Sequence, residues 1–279
     1  MSSGLAARVA AVTGLAVQSV RVVGGQHGYQ HLEISFADGT RGFGKVARRG
    51  DAFAAEAHGL RWLAAADAVP VPEVLGVDES ALVISMVAVG SASSAAAHRF
   101  GGDLARMHAA GADGFGAPWP GCIASLPLDN TPGESWPEWY AERRLRPFLK
   151  LAALRAEDVQ LVEAVIDRIG SLAGPDEPPS RIHGDCWSGN VLWSGGRGWL
   201  IDPAAHGGHR ETDLAMLALF GAPYLSAILA GYVDVSPLAP GWRARISLHQ
   251  LHPLLVHACL FGSSYHPAVR SAAQSALAT

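Results

Sequence analysis

The sequence predicts an α+β protein of two lobes, a β-rich N-terminal lobe over residues 1–89 and a mainly helical C-terminal lobe over residues 90–279. Three observations predict it. Up to Val87 the apolar residues fall in short runs, some alternating with polar residues and parted by glycine or aspartate turns, which is strand spacing. Beyond the small, flexible stretch Gly90–Ala97, apolar residues recur at three and four, which is helix spacing. One hairpin pattern interrupts the helices: Val191–Trp193 and Trp199–Ile201 about the turn Ser194-Gly195-Gly196-Arg197-Gly198.

In order, Leu5–Leu15 reads as an opening helix ending near Gly14, and Val20–Val23 as a strand. Gly24-Gly25-Gln26-His27-Gly28 turns the chain into a second strand, where Leu32, Ile34 and Phe36 alternate with polar residues. A strand, a glycine-rich turn and a strand let backbone N–H groups approach phosphate oxygens, although the glycines alone fit an ordinary β-turn as well. Ala37-Asp38-Gly39-Thr40 leads into the strand Gly42–Ala47, on which Lys45 shares a face with Phe43 and Ala47. Asp51 is placed to cap a helix, Ala52–Ala65, that buries Phe53, Leu60 and Leu63 and contains Glu56. Val69-Pro70-Val71-Pro72 is extended, because each proline disfavours helix at the residue before it. Val74–Val77 and Ala81–Val87 form a hairpin, and the hinge between lobes falls near Met86–Gly90.

The C-terminal lobe opens with the helix His98–Ala109, in which His108 reads as structural, followed by the loop Gly111–Pro120. Glu134–Leu151 combines Trp136, Trp139 and Tyr140 with Arg143, Arg144, Arg146 and Lys150. One amphipathic helix with a basic exposed face explains that mixture more simply than a nucleic-acid surface does. Asp158–Leu172 is a further helix, Gly174–Ser180 a proline-rich loop, and Asp213 a cap for the apolar helix Leu214–Phe220. Tyr224–Tyr232 and Ile246–Phe261 close the chain as helices.

With 49% hydrophobic and 16% charged residues the composition is globular, and a net charge of −4 gives no overall field to attract nucleic acid or an anionic membrane. Cys122, Cys186 and Cys259 have neither metal-ligand nor redox spacing, which fits a reduced compartment. Met1–Arg8 lacks the basic start and long apolar core of a secretory signal, and the apolar run Leu254–Phe261 is too short to span a bilayer. The expectation is a cytoplasmic protein, a monomer in preference to an oligomer, with no nucleic-acid or membrane partner.

The chemistry concentrates in Arg181–Pro203. His183-Gly184-Asp185-Cys186-Trp187-Ser188-Gly189-Asn190 sets an asparagine five residues after an aspartate, and Asp202 ends the return strand of the hairpin. Two carboxylates and an amide oxygen thus meet at one end of a small sheet, a donor set suited to Mg²⁺. A His-Gly-Asp triplet by itself would equally be a buried pair closing a turn. Asn190 and Asp202 at these offsets are what single out phosphoryl-transfer chemistry, because the spacing is that of the protein-kinase catalytic loop.

The wording HGDxWSGN, with IDPAxxGGHRExDLAM after it, resembles the fructosamine kinase (ketosamine 3-kinase) family, a branch of the aminoglycoside phosphotransferase-like kinases. Glu134–Leu151 resembles that family's stretch between the first helices of the C-terminal lobe, which favours substrate shaping there. The resemblance implies a two-lobed protein-kinase-like fold with ATP between the lobes. It places the phosphates under Gly24, Gly25, Gln26, His27 and Gly28, the α- and β-phosphates on Lys45 held by Glu56, and the adenine edge at Ser85, Met86 and Val87, a segment that also reads as core strand. Asn190 and Asp202 would hold Mg²⁺, Asp185 would accept the proton of the acceptor hydroxyl, and Asp213 would brace the catalytic loop. The implied acceptor is a ketosamine, free or as a glycated amino acid or protein, phosphorylated on the C3 hydroxyl, with Trp187 either a wall for it or a support for the loop. Two rivals share these residues in whole or part: an aminoglycoside- or choline-type kinase, and a nucleotide-binding pseudokinase.

Overall fold

The computed structural model describes residues 2–26, 28–47 and 51–279. Helix α1 (Ser2–Thr13) precedes a five-stranded antiparallel sheet built from β1 (Val17–Gln26), β2 (Tyr29–Phe36), β3 (Arg41–Val46), β4 (Val74–Val77) and β5 (Ala81–Ser85). Its strand order is β1-β2-β3-β5-β4, with α2 (Asp51–Ala64) connecting β3 to β4. Strand alternation divides its two faces. Leu32, Ile34, Phe36, Ala81 and Val83 pack with Val9 of α1, whereas Leu82 and Ile84 pack with Phe53, Ala57 and Leu60 of α2. Lys45 lies opposite Leu82 in the β3–β5 register, so its side chain is directed to the α2 face.

The glycine-rich turn is shorter than expected. Gly24 and Gly25 continue β1, paired with His31 and Gln30, and the strand ends with Gln26 opposite Tyr29. Gly25 is there for close approach, since a Cβ would stand 2.6 Å from the Tyr29 carbonyl oxygen. His27 and the cap position before α2 lie outside the described residues, as does the Asp51 side chain.

The second region is helical. α3 (Ser94–Ala109), capped by the Ser93 hydroxyl on the Ala96 amide at 3.1 Å, leads to a small hairpin, β6 (Gly121–Ile123) and β7 (Leu126–Leu128), that the sequence did not announce. The expected single helix over 134–151 is instead α4 (Trp136–Tyr140), a π-helical turn (Ala141–Leu145) and α5 (Arg146–Leu151). That extra residue per turn corrects the basic-face expectation: Arg144 rotates inward and is 1% exposed. Its guanidinium lies 4.2 Å from the Trp139 ring centre and donates to the Asp129 carbonyl and the Asn130 amide oxygen, both at 2.7 Å.

The helix expected over 158–172 breaks at Arg168 into α6 (Ala156–Asp167) and α7 (Ile169–Leu172). Then follow β8 (Ser180–Ile182), the hairpin β9 (Val191–Ser194) and β10 (Arg197–Leu200), and β11 (His206–Gly208), which pairs with β8. The last helices are α8 (Glu211–Leu219), α9 (Leu225–Val235), α10 (Trp242–Phe261) and the unforeseen α11 (His266–Leu277). Pro253 inside α10 leaves the His249 carbonyl without its helical donor, and the buried Tyr140 hydroxyl fills the gap at 3.2 Å. Among the described residues no helix is long and apolar enough to cross a membrane.

Candidate active site

The loop after β8 is fixed from beneath. Asp213, completely buried in the first turn of α8, accepts the His183 amide at 2.7 Å and the Gly184 amide at 3.0 Å. It therefore braces the loop and does not cap its own helix, which corrects the local expectation. His108 Nε2 donates to the same carboxylate at 3.1 Å, leaving Nδ1 to accept the Tyr232 hydroxyl at 2.8 Å. Burial raises the Asp213 carboxyl, but the hydrogen bonds from His108 and from the His183 amide outweigh it and hold the group below its ordinary range. His183 ties the loop to the hairpin: Nε2 donates to the Ile201 carbonyl at 2.9 Å and Nδ1 accepts the Asp185 amide at 3.2 Å. Burial lowers its pKa, consistent with that neutral tautomer.

Asn190 Nδ2 donates to the Asp185 backbone carbonyl at 2.9 Å and to Asp185 Oδ2 at 3.0 Å. Burial pushes the Asp185 carboxyl up to about 7, Asn190 opposes this, and the carboxylates of Asp202 and Asp213 add to it. Asp202 follows β10 in the left-handed region at φ +54°, a conformation that costs a residue with a Cβ but brings the carboxylate back toward the sheet. There Asp202 Oδ1 meets Lys45 Nζ at 2.8 Å, and both oxygens of Glu56 meet the same ammonium at 2.9 and 2.8 Å. Burial works against the charge on Lys45, and the two carboxylates more than reverse it, so the ammonium is held above its ordinary range. Burial raises the Glu56 carboxyl to about 7, with Lys45 pulling it back down.

A cavity of about 470 Å³ brings Lys45, Glu56, Asp185, Trp187, Asn190 and Asp202 to one wall system. Trp187 is 38% exposed and edge-on to Phe220, so it is a wall rather than a core support. Gly24, Gly25, Gly28 and Ser85, Met86 and Val87 are not among the described residues that line this cavity. It is walled instead by Tyr29 and His31 of β2. The sequence missed Cys122, Ile123 and Ala124, which the β6–β7 hairpin presents, and His257, Phe261 and Tyr265. The last three stand four residues apart, a stripe that reads as ordinary helix packing.

The donors fit Mg²⁺. Asn190 spends its N–H₂ on Asp185, which leaves its Oδ1 as an acceptor, and Asp202, with a side chain 41% exposed, presents a second carboxylate oxygen beside the one on Lys45. A second cluster, His209, Glu211 and His249, brings potential ligand atoms within 4.8 Å of one another. Arg245 already spans both Glu211 oxygens at 2.9 and 2.5 Å, so a cation there would meet a guanidinium and no open carboxylate.

Comparison with known proteins agrees with this geometry. A sequence profile of the fructosamine kinase family matches residues 5–279. A probable ketoamine kinase of Synechocystis sp. is 35% identical over 226 residues, covering 78% of this chain and 76% of its own. A Thermobifida fusca protein provisionally named fructosamine-3-kinase has a crystal structure that superposes with a TM-score of 0.97 at 50% identity over the whole of both chains. A macrolide 2'-phosphotransferase of Brachybacterium faecium, 18% identical with a TM-score of 0.65 over 99% of this chain and 97% of its own, shares the two-lobed kinase-like fold. The chain belongs to the fructosamine kinase family.

Proposed function

We propose that this protein is an ATP-dependent kinase that phosphorylates the C3 hydroxyl of ketosamines, the rearranged adducts of sugars with amines. One observation carries the proposal: Lys45, Asp202, Asn190 and Asp185 meet in a single cavity, in the order that a phosphoryl donor, a metal and an acceptor would require. Family membership makes ATP the donor.

In this reading the boundary near residue 90 separates a nucleotide lobe from a catalytic lobe. Residues 24–28 cover the phosphates, and Lys45, held by Glu56, grips the α- and β-phosphates. The Ser85 and Met86 amides already bond the Glu73 and Arg41 carbonyls at 2.8 and 3.0 Å, which leaves the Val87 amide for the adenine edge. Asn190 Oδ1 and Asp202 would hold Mg²⁺, which when bound supplies charge neutralisation on the phosphates. Asp185 orients the C3 hydroxyl and takes its proton as the oxygen bonds to the γ-phosphorus and the bond to the β–γ bridging oxygen breaks, releasing ADP. A carboxyl raised to about 7 is a better proton acceptor than an ordinary aspartate. Trp187 gives the sugar a flat face.

The product explains the reaction. A C3 phosphate leaves more readily than hydroxide once the neighbouring carbonyl enolises, so the sugar departs and the amine is freed. The reading goes with a cytoplasmic setting, where ATP is made, and with fructosamine or ribulosamine adducts of amino acids or proteins. It is tested by offering fructosyl-lysine, ribulosyl-lysine, choline and an aminoglycoside with Mg·ATP and locating the phosphate by NMR. Phosphate on the ketosamine C3 oxygen is expected. Transfer to choline or the aminoglycoside alone would overturn the acceptor assignment.

A further inference from the structure

Helix α2, which carries Glu56, is fastened to the C-terminal lobe as well as to the sheet. Trp119, in the connection from α3 to β6, stacks on His58 with ring centres 5.7 Å apart and planes 14° from parallel. It also stands edge-on to Trp62, again at 5.7 Å. The Arg181 guanidinium lies 4.6 Å from the Trp62 ring centre and donates to the Trp62 carbonyl at 2.6 Å. Gly59 faces the chain just after Asp202 so closely that a Cβ would come within 3.2 Å of Pro203 and Ala205. Leu63 is buried in one cluster with Phe100 and Leu104 of α3.

Trp119 is itself held. Its carbonyl accepts Asn130 Nδ2 at 3.3 Å, and the Asn130 amide oxygen accepts the buried Arg144. The same connection runs on into Cys122, Ile123 and Ala124, which line the cavity. One short stretch thus touches the cavity wall at one end and the glutamate-bearing helix at the other.

We propose that Trp119 is a positioning residue for phosphoryl transfer: it holds α2 in the register at which Glu56 pairs with Lys45, and it links that pair to the hairpin lining the cavity. The proposal rests on reading the Lys45–Glu56 pair as the nucleotide grip. Apart from the Lys45–Glu56 pair itself, α2 meets the sheet through apolar contacts, Phe53 against Tyr29 and Ala57 and Leu60 in one cluster with Leu82 and Ile84, which carry little directional constraint. The ring stack on His58 and the Arg181 bond to Trp62 are directional and lie about half a turn and under two turns beyond Glu56, where a small rotation would carry the carboxylate away from the ammonium.

The test compares kcat, KM for ATP and Tm in Trp119→Ala, Trp119→Phe, His58→Ala, Glu56→Gln and the Trp119→Ala/Glu56→Gln double variant. Trp119→Ala should lower kcat about tenfold, and Trp119→Phe, which keeps a ring to stack, should stay within about twofold of the native protein. In the double variant kcat should equal that of Glu56→Gln, while the two Tm losses add. His58→Ala, at an exposed position, removes only the stack and serves if Trp119→Ala does not fold. It should lower kcat about threefold in the native background and leave it unchanged beside Glu56→Gln. Losses in kcat that multiply, or a Tm change with kcat untouched, would overturn the proposal while leaving the grip intact. A native kcat in Glu56→Gln would overturn the grip itself, and Trp119 with it.

Discussion

Two clusters of buried charge in this molecule invite comparison. At the cleft one ammonium, Lys45, is shared by Glu56 and Asp202, with Asp185 close by. In the helical lobe Glu211 is bound at both oxygens by Arg245, with His249 Nε2 at 3.4 Å, and Glu177 is bound at both oxygens by Arg210. The first has three carboxylates to one cation. The second is balanced. The titration directions follow: burial sends Asp185 and Glu56 up to about 7, whereas in Glu211 the neighbouring His249 ring and the hydrogen bonds of Arg245 overcome burial and bring the carboxyl down to about 2. A cluster built for stability satisfies its charges. On the proposed reading, the cleft cluster leaves charge unbalanced until a triphosphate and a metal arrive.

The sharpest way to break that contrast is Asp202→Ala. Turnover should fall to background as the proposed metal ligand is lost, while Tm stays nearly level, because the change removes a carboxylate that repels Glu56 and Asp185 together with an ion-pair partner of Lys45. Steady-state kinetics and a thermal melt on one preparation check both halves. Next in size, Glu211→Ala leaves Arg245 buried and uncompensated and should cost about 3–5 kcal/mol of stability by urea denaturation, with turnover per folded molecule little changed. If activity collapsed and stability held, the two clusters would have been assigned the wrong way round. Asp185→Ala should lower kcat about a hundredfold, equivalent to about 2.7 kcal/mol, with ATP binding retained by calorimetry.

The smallest expected effect uses pH. Burial, and then the charge of Arg144, lower the pKa of His206 to about 3. The unfolded chain therefore takes up that proton first as pH falls through about 6.5, so the stability contributed by neutral His206 is complete above that pH and is lost progressively below it. At pH 5.5 the loss is about 1.4 kcal/mol for this residue. Denaturation at pH 7.5 and 5.5 should show His206→Gln losing correspondingly less than the native protein. An unchanged pH slope would mean that His206 titrates in the fold as it does in the unfolded chain.

The stretch proposed as catalytic was legible because its chemistry is local: Asp185, Asn190 and Asp202 lie on one loop and one hairpin, and Glu56 follows Lys45 by eleven residues, on the next helix. Sheet strands with clean alternation were legible for the same reason. Trp119 was not, because a tryptophan between two prolines in a loop carries no period, and its partners lie on another lobe. Arg144 looked solvent-facing because helix spacing assumes regular turns, and the π-helical turn breaks that assumption. The Glu211 cluster joins residues 34 positions apart, a distance at which pattern in sequence gives way to packing.

Asp202 carries a wider consequence. At φ +54° it occupies a backbone site where glycine or asparagine would rest more easily. Folding and phosphoryl transfer therefore select in opposite directions at one codon. A laboratory selection for heat tolerance, run without a screen for turnover, should accumulate Asp202→Gly or Asp202→Asn early and yield robust, silent descendants. A lineage that had exchanged catalysis for scaffolding would be expected to bear the same mark.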